Sequence, residues 1–292
     1  MLSLDANMER QDLTVRKIRI VADSSANIRT LERVAFASAP LKIITADREF
    51  VDDAALDVDG MIEYFDGYKG RSQTSCPNPS DWLESCGDAA DVFCVAITSG
   101  LSGSYNAACA AKQMFEADNS DKRVCVLDSL SAGPELALII EKLEELIVQG
   151  LDYDEICHEI KAYMQTTGLL FMLASLKNFA ANGRVSPAVA KIAGILGIRI
   201  VGKASDKGQL EPLDKCRGEN QSLNTILSHL KEYGYLGGRI RIAHCRNEVA
   251  AVALKESVLA EFPQADIAIA PCCGLCSYYA EKGGLLVGFE KG

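Results

Sequence analysis

Seven residues, Thr98-Ser99-Gly100-Leu101-Ser102-Gly103-Ser104, crowd hydroxyls and glycines between an apolar run and a helical pattern. A turn that leads from a strand into a helix leaves backbone N–H groups unpaired, and the helix dipole adds positive potential there. Hydroxyls and N–H groups that converge on one point bind an anion, and carboxylate and phosphate both fit. Serines that cap the helix and glycines that permit the turn explain the same string without any ligand, so spacing leaves both readings open. A second polar stretch, Thr74-Ser75-Cys76-Pro77, precedes a predicted helix with Ser80 as its N-cap. It reaches the same anion if both loops lie at the C-terminal edge of one sheet, where doubly wound folds bind ligands. As an ordinary loop and cap it needs none.

Familiar phosphate and nucleophile motifs are missing. No Gly-x-x-x-x-Gly-Lys-Ser/Thr occurs, so no P-loop lysine awaits a nucleotide, and the first strand-helix turn lacks Gly-x-Gly-x-x-Gly. Gly100-Leu101-Ser102-Gly103-Ser104 misses the Gly-x-Ser-x-Gly elbow by its last residue. A serine hydrolase also needs a placed histidine. Of the three present, His158 and His229 fall on predicted helices and only His244 ends a strand. Cys272, Cys273 and Cys276 form a further cluster, and Cys273-Gly274-Leu275-Cys276 has redox-motif spacing. No matching Cys/His pair completes a zinc site, so packed thiols are the simpler expectation and no metal is assigned.

Short β-branched runs alternate with helical patterns along the chain, which predicts α/β layers around largely parallel sheets. Strands are expected at Ile18 to Ala22, Leu41 to Thr45, Val92 to Ile97 and Val124 to Leu127. Later ones fall at Leu169 to Leu173, Arg239 to Ala243, Asp266 to Ala270 and Leu285 to Phe289. Ile198 to Val201 and Gln209 to Lys215 flank Asp206-Lys207-Gly208, a hairpin signal. Helices are expected from Glu135 to Val148, from a capping box at Asp152 and Glu155, and from Ser186-Pro187 to Leu196.

The chain has 292 residues, 48% of them hydrophobic, which favours two domains over one core. The expected division is 1–167 and 168–292. A net charge of -10 with no basic run argues against nucleic acid and anionic membrane surfaces as partners. No uncharged apolar stretch reaches the roughly 18 residues of a membrane span. The N-terminus, with Asp5, Glu9, Arg10 and Asp12, lacks the order of a signal peptide. Eleven cysteines, mostly inside apolar segments, point to free thiols in a reducing compartment, hence a cytoplasmic protein.

Asp23-Ser24-Ser25 after the first strand resembles the opening motif of the DegV family, and a series of further motifs follows in the same order. These are Pro40-Leu41, Thr74-Ser75-x-Pro77, Thr98-Ser99-x-Leu101-Ser102-Gly103-Ser104-Tyr105 and Asp128-Ser129. Gly183-Arg184-Val185-Ser186, Lys215-x-Arg217-Gly218 and His244 ahead of Asn247-Glu248 complete the series. The resemblance implies two α/β domains with a long-chain fatty acid buried between them. It also implies that Thr74 and Ser99 bind the lipid carboxylate, with Ser102 and Arg184 as neighbours. No catalytic residue and no cofactor besides the bound lipid is then expected, and a separate fatty acid kinase subunit becomes a possible partner in phospholipid synthesis. One departure stands out. The family usually ends with His-x-Gly-Pro-Gly near the head group, whereas here Tyr279 takes the histidine position and Glu281-Lys282-Gly283 replaces Gly-Pro-Gly. Two other classes remain open: an enzyme acting on a small carboxylate or phosphate through the Ser-rich loop, and a thiol-redox or metal protein centred on Cys272, Cys273 and Cys276.

Overall fold

The computed structural model describes residues 16–117, 121–186, 189 and 197–292. The helix expected from Ser186-Pro187 to Leu196 and the N-terminal residues Asp5 to Asp12 lie almost wholly outside these residues.

Strands β1 (Ile18–Asp23) and β2 (Ala35–Ala39) join β6 (Asp91–Ala96) and β7 (Arg123–Asp128) in a parallel sheet of order β2-β1-β6-β7. Every residue of β6 is buried, as its unbroken apolar run requires of a strand covered on both faces. Val92, Cys94 and Ala96 pack with Trp82 and Ala108 from α2 (Pro79–Cys86) and α3 (Ser104–Ala117). Phe93 and Val95 point the other way, to Leu136, Ile139 and Ile156 of α4 (Pro134–Val148) and α5 (Tyr153–Met164). Three layers result. The cap of α2 is Asn78 rather than Ser80. Its side chain accepts from the N–H groups of Ser80 and Asp81, and Pro79, with its preset φ, starts the helix two residues earlier than expected. The Asp152/Glu155 capping box of α5 forms as expected.

A small antiparallel sheet of order β4-β3-β5 follows β2: β3 (Lys42–Ile44), β4 (Glu49–Val51) and β5 (Gln73–Ser75), with α1 (Val58–Gly67) between the last two. After α5, β8 (Thr167–Leu173), β9 (Ile198–Ala204), β10 (Leu210–Arg217), β11 (Arg239–His244), β12 (Asp266–Pro271) and β13 (Leu285–Glu290) make a six-stranded sheet, order β10-β9-β8-β13-β11-β12. The expectation of largely parallel sheets describes the first sheet, and the second departs from it. Only β11 and β12 pair in parallel, while β10-β9, β9-β8, β8-β13 and β13-β11 run antiparallel. A tight turn at Gly208 reverses the chain between β9 and β10, and the last strand threads between β8 and β11 against both.

Helices α7 (Glu219–Glu232) and α8 (Glu248–Glu261) cover one face of this sheet through Ile226, Leu230, Leu254 and Val258. The other face meets α4. Leu136, Leu138, Ile139, Ile140 and Leu143 of that helix are all at 0% exposure, because it is sandwiched between the two sheets. Each such side chain contributes roughly 1.5–3 kcal/mol by leaving water. The contact is backbone-close at Gly288, where a Cβ would lie 2.5 Å from the carbonyl carbon of Pro134. Arg241 on β11 fixes the same helix through Glu141 at 2.7 Å. The remaining helices, α6 (Lys177–Ala181) and α9 (Gly274–Ala280), are short and flank the cavity described next.

Candidate functional site: a hydroxyl-rimmed apolar cavity

In the parallel sheet the chain turns outward to β2 from β1 and to β7 from β6, so the switch point lies between β1 and β6. Asp23 ends β1 there, wholly buried. Its carboxylate accepts from the Ile97 N–H at 2.8 Å, the Ser104 hydroxyl at 2.6 Å and the Ser25 hydroxyl at 2.5 Å. These bonds tie the end of β1 to both ends of the Ser-rich loop. Burial raises the Asp23 pKa while the hydrogen bonds oppose the rise. The carboxylate is a structural clasp, fully occupied by protein donors.

Inside the loop, Leu101 and Ser102 both direct their N–H groups to the Thr98 carbonyl, at 3.3 and 3.2 Å. That turn decides which serines face inward. Ser102 lines the cavity. Ser99 does not: it is exposed, and its N–H donates to Asp128 Oδ1 at 3.0 Å. The Thr98 hydroxyl points inward as well, donating to the Gly208 carbonyl at 2.9 Å and accepting from Gly100 N–H at 3.0 Å. The β9–β10 hairpin thus rests on the Ser-rich loop and forms one wall of the cavity with Gly208, Gln209 and Leu210.

Thr74 is the middle residue of β5, opposite Ile43, instead of lying on a loop. Its hydroxyl meets the Tyr279 hydroxyl at 2.8 Å, and its N–H donates to the Asn182 side chain at 3.2 Å. Arg184 comes from the segment after α6, donating to the carbonyls of Leu101 at 3.2 Å and Asn182 at 2.6 Å. Among the described residues it has no acidic partner. Thr74, Ser102 and Arg184, from three distant stretches of chain, therefore line one cavity together with Tyr279.

The cavity has a volume of about 510 Å³ and lies between the two halves of the molecule. Leu41, Ile97 and Ala132 from the first half face Leu169, Phe171 and Leu286 from the second. Such a volume with a few convergent polar groups is what a small-ligand site offers. A guanidinium with no acidic partner among the described residues, beside three hydroxyls, can neutralise and hydrogen-bond a carboxylate, and the apolar remainder suits a hydrocarbon tail. A larger hollow of about 970 Å³ near Arg71 and Lys177 is lined by nearly as much polar as apolar surface, so it suits a hydrocarbon tail less well.

The other candidates are placed elsewhere. His244 is nearly buried, accepts from the Asn247 N–H at 3.2 Å and is kept neutral by desolvation; it does not line the cavity. His229 is held by Asp214 and Glu232, and His158 is exposed. Burial pushes the thiols of Cys272 and Cys276 well up and raises Cys273 despite the nearby Arg29, so all three are poor thiolate sources. All eleven cysteines are free. Among the described residues no cluster of three or more His, Cys, Asp or Glu could hold a metal ion, and no helix is long and apolar enough to cross a membrane.

Two features escaped the sequence reading. Asp52, fully buried, accepts from the N–H groups of Gly274 and Leu275 at 2.9 Å each and pairs with Arg29 at 2.7 Å, anchoring α9 and hence Tyr279. A lone Asp after a short strand carries no signal of a cap some 220 residues away. The docking of the β9–β10 turn on Thr98 was equally hidden, although the turn itself was legible.

Known proteins share this architecture over the full length of the described fold. A family model described as "Uncharacterised protein, DegV family" matches residues 17–291. A DegV domain-containing protein of Streptococcus pneumoniae is 46% identical over 276 residues, which is 93% of this chain and 98% of the relative. Among solved structures, a DegV family protein from Eubacterium eligens loaded with heptadecanoic acid has a TM-score of 0.93 at 41% identity, covering 94% of this chain and 100% of the other. The Streptococcus pneumoniae fatty acid kinase B3 protein loaded with linoleic acid matches with a TM-score of 0.93 at 45% identity, over the same shares of each chain. With a family model that matches residues 17–291 and a relative 46% identical over 93% of this chain, the chain belongs to the DegV family.

Proposed function

We propose that this chain binds one long-chain fatty acid by its carboxylate and presents it to a separate fatty acid kinase subunit, with no turnover of its own. The carrying observation is the cavity of about 510 Å³, apolar for most of its lining, with Thr74, Ser102 and Arg184 converging on it. The fatty acids held by the similar Eubacterium and Streptococcus proteins support the same ligand class. A tail of roughly 15 methylenes leaving water supplies on the order of 12 kcal/mol before ordering costs. The head-group contacts then set orientation and selectivity. Ser99, expected as a carboxylate ligand, takes a position at the outer rim of the loop in this proposal, and Ser102 takes its place. The reading divides the chain into domains 1–167 and 168–292, supported by α5 ending at Met164 and β8 opening the second sheet. It needs no cofactor, and the free thiols suit a cytoplasmic location.

Native mass spectrometry of the purified protein should show a retained fatty acid. By calorimetry with heptadecanoic acid, Thr74→Val with Ser102→Ala should bind far more weakly than wild type, while adding Ser99→Ala to Thr74→Val should cost little. Undiminished binding by the Thr74/Ser102 pair would overturn the assigned clamp.

A further inference from the structure

Two adjacent tyrosines end α9 with different hydrogen-bonding situations. The Tyr278 hydroxyl is satisfied by protein on both sides, by Ser72 at 2.7 Å and the Asn182 amide at 3.0 Å. Among the described residues the Tyr279 hydroxyl hydrogen-bonds only Thr74, inside the cavity. A pair of hydroxyls carries two protons, and their mutual bond uses one. Whichever oxygen donates, one O–H remains to point at a ligand. When a carboxylate arrives, the mutual bond can open and both hydroxyls donate to it.

The position is rigid. Asp52 holds the start of α9, and the Tyr279 ring lies 4.6 Å from that of Phe179 and 5.0 Å from that of Tyr278. A preorganised donor keeps more of its bond energy than a mobile one.

We propose, building on the fatty-acid reading, that Tyr279 is a specificity-determining head-group ligand whose phenol donates to the bound carboxylate, making retention of the acid insensitive to pH across the neutral range. The charge inventory supports this. The described lining residues include no histidine, aspartate or glutamate. The titratable groups facing Tyr279 are Arg184 and Tyr278, and the wider cavity adds Lys203, Cys76 and Cys276. Lys203 pairs with Glu211 at 3.9 Å. Glu281, just beyond α9, is occupied by Ser175 at 2.8 Å. Burial raises the Tyr279 phenol above 10.0 while Thr74 and Arg184 pull against it, so it stays protonated. Tyr278 and Cys276 are raised by burial too. None of the described lining residues is an imidazole, the side chain whose charge changes across the neutral range.

The test is calorimetry on the full chain with heptadecanoic acid and the matched fatty alcohol, between about pH 6 and pH 8. Tyr279→Phe keeps the ring packing and should weaken binding of the acid about tenfold or more, with at most a few-fold effect on the alcohol. Wild type and Tyr279→Phe should both be flat with pH. Tyr279→His should recover part of the affinity and bind more tightly at the lower pH, because an imidazolium adds charge there. Unchanged acid binding in Tyr279→Phe, an equal loss for acid and alcohol, or a wild-type affinity that falls through the neutral range overturns the inference. A wild-type chain that binds neither compound overturns instead the function on which it rests.

Discussion

Gly208 is where the second domain touches the Ser-rich loop of the first, and its replacement by alanine tests whether that contact retains the ligand. The residue has φ +66°, and an added Cβ would lie 1.9 Å from Thr98 Oγ1 and 3.0 Å from Leu130 Cα. Two costs follow, and they act at different places. An alanine in the left-handed region costs about 1–2 kcal/mol whether or not the hairpin is docked, so it lowers global stability. The overlap with Thr98 breaks the hydrogen bond to the Gly208 carbonyl, worth about 0.5–1.5 kcal/mol, and acts only on the docked state. That second cost alone opens the cavity wall about 2- to 12-fold more often, with steric repulsion adding to it.

Asparagine at the same position separates the two, since it tolerates positive φ but carries the same Cβ. Stopped-flow release of a fluorescent fatty acid should be accelerated in both Gly208→Ala and Gly208→Asn. Thermal unfolding should fall further in Gly208→Ala. If both variants release ligand at the wild-type rate while only the alanine melts earlier, the hairpin contact does not retain the ligand and the reasoning is wrong.

Two other outcomes are expected. Arg184→Leu should lose about 10- to 100-fold in affinity for a fatty acid, the value of a charge-assisted pair, and leave the matched alcohol nearly unaffected. An equal loss for both would mean Arg184 acts only through its bonds to the Leu101 and Asn182 carbonyls. Glu135, nearly buried at the start of α4, accepts from the Thr167 hydroxyl at 2.7 Å, and burial raises its carboxyl above the ordinary 4.5. The folded chain therefore holds this proton more tightly than the unfolded chain does. Its stabilising contribution is complete below 4.5 and is lost as pH rises through the folded value. Glu135→Gln, which keeps an acceptor and does not titrate, should gain on wild type in urea unfolding as pH rises over that interval. Parallel pH profiles would contradict it.

Periodicity and caps made much of the fold legible. The continuous apolar run at β6 announced a strand covered on both faces, and Asp152 with Glu155 announced the start of α5, because burial pattern and caps are local properties. The antiparallel second sheet was not legible. Apolar runs carry no direction, and β13 takes its place from packing against α4, where only Gly288 allows the approach. The candidate site divides in the same way. Its hydroxyl-rich loop and Thr74 stood out by composition, but the choice between Ser99 and Ser102 depended on a turn closed on the Thr98 carbonyl.

Residue type and order alone determined the α/β class, the Ser-rich turn from strand to helix and the likeness to one family, since each depends on neighbours in the chain. Tertiary structure alone decided that Tyr279 shares a hydrogen bond with Thr74, that Arg184 faces the cavity with no acidic partner among the described residues, and that the cavity lies between two sheets. Those facts join residues as many as 205 positions apart. Their geometry is set by the packing of α4, α9 and the β9–β10 hairpin, which no local pattern encodes.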